Sequence, residues 1–305
     1  HDANVTPWVL AAQDRGVHVN WVDFDVEEGT LNLDDAQKAL ERKPKLLAVG
    51  YASNSLGTIN PVKKIIDMAH EAGALVYIDA VQYAPHGPID VQKLDCDFLI
   101  SSAYKFFGTH SAILYGKRNL LEKLFAYKVR PATNHLPGKF ETGTQNHEGI
   151  AGVLGAIEYF EWVGREFGSE FVAGLAGENY RGRQLELKKA MSAIHAYEIE
   201  LSKALLSALN DVPGLRLYGL NDVRRLDERV ATFSFRLNNM HPRVVAEKLA
   251  QEGIFAWDGN YYALNVSERL GVEEQGGMVR VGAAHYNTLE EVARLKDALI
   301  KIAAG

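Results

Sequence analysis

Two residues stand out by type and place. Asp79 closes an apolar run, Ala74-Leu75-Val76-Tyr77-Ile78, and Lys105 follows a second one, Phe98-Leu99-Ile100-Ser101-Ser102-Ala103. Both runs read as buried strands. Ligands of open α/β sheets bind outside the carboxyl ends of the strands, so both side chains are candidates for one crevice. Taken alone, Asp79 has two readings, a site carboxylate or a cap of the turn that follows. Gln82 is placed one turn further on, where it would reach the same crevice. Lys105 is flanked by Tyr104, Phe106 and Phe107. Such neighbours desolvate an amine and lower its pKa, as an imine-forming lysine requires. The competing reading is a lysine that snorkels from a strand end. As a pair the two suit a pyridoxal phosphate site. The lysine forms the Schiff base, and the carboxylate keeps the pyridinium nitrogen protonated so that the ring withdraws electrons.

The elements that position these residues follow a simple rhythm. A strand is expected over 45–52, then a helix after Asn60-Pro61, with Asn60 as cap and Pro61 in the first turn. Val62, Ile65, Ile66 and Ala69 share one face of that helix, and Gly73 ends it. Strands at 74–80 and 97–103 come next. A further strand at 111–116 follows the Gly108-Thr109 turn too closely for a crossover helix, so it is expected to run antiparallel. Apolar strands alternating with amphipathic helices imply a mainly parallel sheet covered by helices. Ile150, Val153, Leu154, Ile157 and Phe160 keep helical spacing, and 168–210 reads as a charged helical connector. The last hundred residues have another rhythm. A strand is expected at 228–237 with Ala231, Phe233, Phe235 and Leu237 inward, then a helix over 242–252 and strands at 254–257 and 278–283. The final helix opens on a Thr288/Glu291 capping box and buries Val292, Leu295, Leu299 and Ile302. The expected organisation is an α/β large domain over 1–170, a connector over 171–210 and a small α+β domain over 211–305.

Composition narrows the function classes. The chain has 305 residues, 47% hydrophobic and 24% charged, which is ordinary globular usage. The net charge is −6 and no basic patch interrupts it, so no nucleic-acid partner is expected. No apolar run approaches the roughly 18 residues of a membrane span. The single cysteine, Cys96, rules out an internal disulfide and a Cys-rich zinc site, and favours a reducing, cytoplasmic setting. His135, Glu141 and His147 are spaced too irregularly for a metal site. Phosphate-loop, dinucleotide and Gly-x-Ser-x-Gly fingerprints are absent. The chain begins at His1 without the charged and apolar regions of a signal peptide.

Longer stretches carry a resemblance. They are His1-Asp2-Ala3-Asn4 with Pro7-Trp8, Ser53 to Thr58 with Asn60-Pro61, and Asp79-Ala80-Val81-Gln82 with His86. Ser102-Ala103-Tyr104-Lys105, Phe140-Glu141-Thr142-Gly143-Thr144, and Arg280 through Thr288 complete the set. In order and spacing the chain resembles class V aminotransferases of the cysteine desulfurase-like group, which are fold-type I pyridoxal phosphate enzymes. The resemblance implies roles. Lys105 matches the Schiff-base lysine, Asp79 the pyridinium partner, Gln82 the contact to the phenolic oxygen and His1 the histidine stacked on the ring. Ser102 matches a phosphate ligand. Thr144 matches a threonine donated to the phosphate by a second subunit, which implies a homodimer with a shared site. Asn54 and Arg280 match residues that hold the substrate carboxylate, a task suited to the bidentate guanidinium fork.

Three departures qualify the resemblance. Tyr104 stands where the family usually has His, although a phenol can still donate to a phosphate. Tyr262 stands where desulfurases carry a nucleophilic cysteine, and it is read as either a substrate contact or a packed aromatic. Cys96 reads as a small buried thiol, whereas a persulfide relay needs a mobile thiolate. The family's large domain also starts well before the position of His1. The resemblance therefore implies a longer natural protein, whose earlier part brings a helix N-terminus to the cofactor phosphate. The expected activity is pyridoxal phosphate chemistry on a small amino acid or amine. The substrate amine displaces Lys105, Arg280 orients the carboxylate, and the freed lysine moves the Cα proton. A carbon–sulfur lyase is favoured by analogy. Aminotransfer, epimerisation and a non-catalytic scaffold on the same fold are the alternatives.

Overall fold

A computed structural model describes residues 1–305. Two four-stranded sheets organise it. The first has the order β1 (Leu46–Gly50), β2 (Leu75–Asp79), β3 (Phe98–Ser102), β4 (Ala112–Gly116). The first two pairings are parallel and β3–β4 is antiparallel, as the short connection requires. Helices α1 (Thr6–Arg15), α2 (Leu33–Glu41), α3 (Val62–Glu71), α4 (Val91–Leu94) and α5 (Arg118–Lys123) flank this sheet. The face of α3 forms as expected, with Val62, Ile65, Ile66 and Ala69 buried. It packs with Val76, Ile78, Leu94, Cys96 and Leu99 into one core.

Two helices lead to the second sheet. They are α6 (His147–Phe167) and α7 (Gly182–Asn210). They approach closely because Gly164 has no side chain: a Cβ there would lie 2.0 Å from the Glu186 carbonyl oxygen. The stretch read as a connector is more than that. Lys189, Ala190 and Ile194 of α7 are buried in its first half, and Leu201, Leu205, Leu206 and Leu209 enter the small-domain core.

The second sheet is antiparallel throughout, in the order β5 (Leu215–Tyr218), β6 (Thr232–Leu237), β8 (Met278–Gly282), β7 (Trp257–Gly259). Helices α8 (Pro242–Gln251), α9 (Leu264–Arg269) and α10 (Leu289–Ala304) complete this part. The capping box at α10 is present, with Thr288 Oγ1 accepting from Glu291 N and the Glu291 carboxylate accepting from Thr288 N.

Three local expectations are corrected. Asn60 does not cap α3; Pro61 takes that place, and Asn60 Nδ2 donates to the Gly50 carbonyl at 2.8 Å, closing the end of β1. The strand expected at 254–257 forms instead at Trp257–Gly259, because pairing to β8 begins only where Trp257 meets Arg280. On α6, Ile150 and Leu154 face outward, and the helix buries Gly149, Ala156, Phe160 and Val163. Strand β5, not expected from the sequence, forms by pairing with β6.

Candidate active site between the two sheets

Parallel pairing sets the floor of the site. Gly50 is in register with Asp79, and Asp79 with Ile100, so the chain leaves β1, β2 and β3 side by side at their carboxyl ends. Asn54 lies in the loop after β1. Asp79 is the last residue of β2, Ser102 the last of β3, and Lys105 falls in the 3-10 turn Ala103–Phe106 directly after it.

Asp79 is half-buried, and one carboxylate oxygen accepts from Val81 N at 3.0 Å. The turn cap is therefore real, and the second oxygen is left unpaired by the chain. Lys105 is half-buried and pairs with no carboxylate; its Nζ lies 5.5 Å from the centre of the Tyr104 ring. Burial holds its pKa below the ordinary lysine value, and the nearby charge of Arg280 lowers it further. Tyr104 is half exposed and stacks on His110, with ring centres 5.2 Å apart. Gln82 Nε2 donates to Thr232 Oγ1 at 3.2 Å and so reaches the second sheet. The His1 ring stacks on Tyr262, with ring centres 5.7 Å apart.

The far wall comes from the small domain. Arg280 on β8 is half-buried, donates to the Asn54 carbonyl at 2.6 Å and pairs with no carboxylate. Burial lowers its pKa, since desolvation disfavours the charged form. Asn54 is buried; its Nδ2 donates to the Tyr261 carbonyl at 2.8 Å, and its Oδ1 has no partner. Ser102 makes no side-chain hydrogen bond at the end of β3. Thr144 is exposed in the loop before α6 and hydrogen-bonds to none of these residues. The fold thus brings His1, Asn54, Asp79, Gln82, Lys105 and Arg280 to one junction and leaves Thr144 outside it.

Other residues also build the junction. Arg229 is 2% exposed and donates to the carbonyls of Leu220, Leu56, Val230 and Thr232, with its guanidinium 3.6 Å from the centre of the Phe233 ring. Burial without a carboxylate pushes its pKa down to about 9. It locks the Asn54 loop to β6. The lock is tight at Gly57, where a Cβ would lie 2.3 Å from the Thr232 carbonyl oxygen. Ser234 Oγ donates to Ser55 O at 2.6 Å, and buried His86 pairs with buried Glu198 at 2.6 Å. Arg229, Ser234 and Glu198 lie far from Asn54 and Lys105 in sequence, so no spacing pattern reveals them, whereas Ser55, Gly57 and His86 fall in stretches that carry the resemblance.

The donor set suits a pyridine ring carrying a phosphate and an amino acid beside it. There is a carboxylate with a free oxygen, an amine without a counter-charge, a guanidinium without an anion and an orphaned amide oxygen. Comparison with known proteins agrees. Residues 1–173 and 164–295 match the family model for aminotransferase class-V. The chain belongs to the class-V aminotransferase family. It is 32% identical to a cysteine desulfurase of Synechococcus elongatus over its whole length, and 34% identical to one of Pectobacterium atrosepticum over 99% of it. It spans 45% of the first relative's length and 69% of the second's. Among solved structures it superposes on the apo cysteine desulfurase of Thermococcus onnurineus with a TM-score of 0.81 and 26% identity, covering 100% of this chain and 71% of that one. The Escherichia coli cysteine desulfurase CsdA gives 0.78 and 28%, covering 100% and 70%. The fold is that of the fold-type I pyridoxal phosphate enzymes, and the family's cofactor is pyridoxal phosphate. No helix of the class-V chain is long and apolar enough to cross a membrane.

Proposed function

We propose that the protein acts on an amino acid through Lys105 and that its chemistry is that of a lyase cleaving carbon–sulfur bonds. The observation that carries the reading is the juxtaposition of Lys105, desolvated and without a carboxylate partner, with the charge of Arg280, which likewise pairs with no carboxylate, while Asp79 ends the neighbouring strand with one oxygen free.

Pyridoxal phosphate, when bound, supplies the electron sink that acidifies the substrate Cα–H. Lys105 would hold the cofactor and, as a neutral amine, would move the Cα proton; burial and the charge of Arg280 lower its pKa in the direction this role requires. The free oxygen of Asp79 would face the ring nitrogen and keep it protonated. His1, Gln82, Ser102 and Tyr104 would help to hold the cofactor: His1 against the ring, Gln82 at the phenolic oxygen, and the hydroxyls of Ser102 and Tyr104 at the phosphate. Arg280 and Asn54 hold the substrate carboxylate, and Tyr262 faces the substrate side chain. Thr144, free within its own chain, serves the phosphate of a second subunit. The outward apolar side chains Leu114, Phe125, Tyr127, Ile150 and Leu154 support a homodimer.

The reading omits a persulfide relay. Cys96, the chain's one cysteine, is fully buried in the large-domain core, and burial raises its thiol to about 11. Sulfur would therefore leave as sulfide, carrying the electron pair of the broken C–S bond, without a protein thiol to receive it. A reducing, cytoplasmic setting belongs to the same reading and is supported by the single cysteine.

The test is an absorption spectrum with added pyridoxal phosphate, beside a Lys105→Ala variant. A yellow band that borohydride bleaches and the variant lacks supports the assignment; a folded sample without the band overturns it. Incubation with L-amino acids then separates the outcomes. Sulfide with a keto acid supports the lyase. A keto acid with amino-group transfer to a second keto acid makes it an aminotransferase, and inversion alone makes it an epimerase.

A further inference from the structure

Tyr261 touches both groups assigned to the substrate carboxylate. The guanidinium of Arg280 lies over its ring, 4.5 Å from the centre, and its backbone carbonyl accepts from Asn54 Nδ2 at 2.8 Å. The ring is held from behind. Tyr261 is 6% exposed, and its hydroxyl donates to the carbonyl of Met278, two residues from Arg280 on the same strand. Its backbone is left-handed, with φ 57°, and Tyr262 continues the turn at φ 60°. Two consecutive non-glycine residues in that region are uncommon and persist where the surroundings impose them. The loop is pinned further. Asn260 bonds Glu273 at 3.0 Å and Tyr262 N at 3.1 Å, and the Tyr262 carbonyl accepts from Asp2 N at 2.6 Å.

We infer that Tyr261 is the positioning residue of the carboxylate clamp: its ring aims the Arg280 fork, its carbonyl orients Asn54, and together they select amines that carry an α-carboxylate. The inference rests on the Proposed function, which gives Arg280 and Asn54 to the substrate. It adds a reason for the fixed loop. An aromatic face attracts a guanidinium without neutralising it, whereas a carboxylate at this position would compete with the substrate. Arg280 is thereby oriented and still free to bind an anion.

Calorimetric titration of the cofactor-loaded protein tests this. The probes are L-alanine and ethylamine, which differ by the carboxylate. The unmutated protein is expected to bind L-alanine more tightly. Tyr261→Phe keeps the ring and the carbonyl and retains that preference. Tyr261→Leu, with Tyr261→Met as a second variant should leucine unfold the loop, removes the aromatic face. It is expected to weaken L-alanine about tenfold and leave ethylamine unchanged. Equal weakening of both probes, or of neither, overturns the role of Tyr261. Arg280→Leu identifies the other failure. If that variant keeps the L-alanine preference, or if the unmutated protein shows none, the carboxylate assignment falls and the inference falls with it.

Discussion

The two sheets that frame the site are built to different standards of closure. In the small domain, β6 is buried on both faces, with Thr232, Phe233, Ser234 and Phe235 all inside. Its core holds 21 buried residues, against 11 under the large-domain sheet. In the large domain no residue of β1 is fully buried, and Ala112, Ile113 and Leu114 of β4 are exposed. The site inherits this asymmetry. Arg280 stands on a mostly buried strand and Tyr261 in a pinned loop packed against it, while Lys105 and Tyr104 follow β3, next to an edge strand that still offers apolar surface. A rigid wall suits recognition of a fixed group such as a carboxylate. An open flank suits completion by a second copy of the chain.

Mutations sharpen or break that comparison. The largest effect is expected in the closed core: Phe235→Ala should cost about 3–5 kcal/mol in denaturant unfolding, because the cavity cannot collapse. Next comes the lock between the sheets. Arg229→Met strands the four carbonyls it serves and should cost about 3 kcal/mol. It should also weaken L-alanine binding, since the Asn54 loop is released. At the open flank, Leu114→Ser should change subunit stability by less than about 0.5 kcal/mol while shifting sedimentation from dimer towards monomer. A large loss of stability at Leu114, or a small one at Phe235, would erase the contrast between the two halves.

Smaller effects follow from titration. Lys105 has a folded pKa below the ordinary value of 10.5, so the unfolded chain binds its proton more readily. Without cofactor, stability should therefore rise with pH between the folded value and 10.5. Lys105→Met should be more stable than the parent at neutral pH, and the gap should close as pH rises through that window. Thermal midpoints of the two proteins across that range check the sign. Cys96 should resist iodoacetamide in the native protein at pH 8 and react only on unfolding, because burial holds it as the thiol.

Much of this architecture is legible locally. The apolar runs ending at Asp79 and Ser102, the buried face of α3 and the Thr288/Glu291 box follow rules that span a few residues. The misreadings arise where a distant partner decides. Asn60 looks like a cap, yet the end of β1 claims its side chain. The Ile150/Leu154 stripe has helical spacing, yet small residues on the neighbouring face let α7 approach, so the stripe turns outward. Tyr261 and Arg229 are invisible for the same reason. Their partners, Asn54 and Leu56, lie more than a hundred residues away in sequence, and only the meeting of the two sheets reveals them. The places of Asp79 and Lys105 at the ends of neighbouring strands are legible because strand ends are local features with a known place in the fold.

The central claim is that Lys105 carries the cofactor. Borohydride reduction of the protein with pyridoxal phosphate, followed by proteolysis and mass spectrometry, tests it most directly. The account expects one phosphopyridoxyl group on the peptide containing Tyr104-Lys105-Phe106, with the modification at Lys105. A label spread over exposed lysines such as Lys38 and Lys63, with Lys105 unmodified, would contradict it.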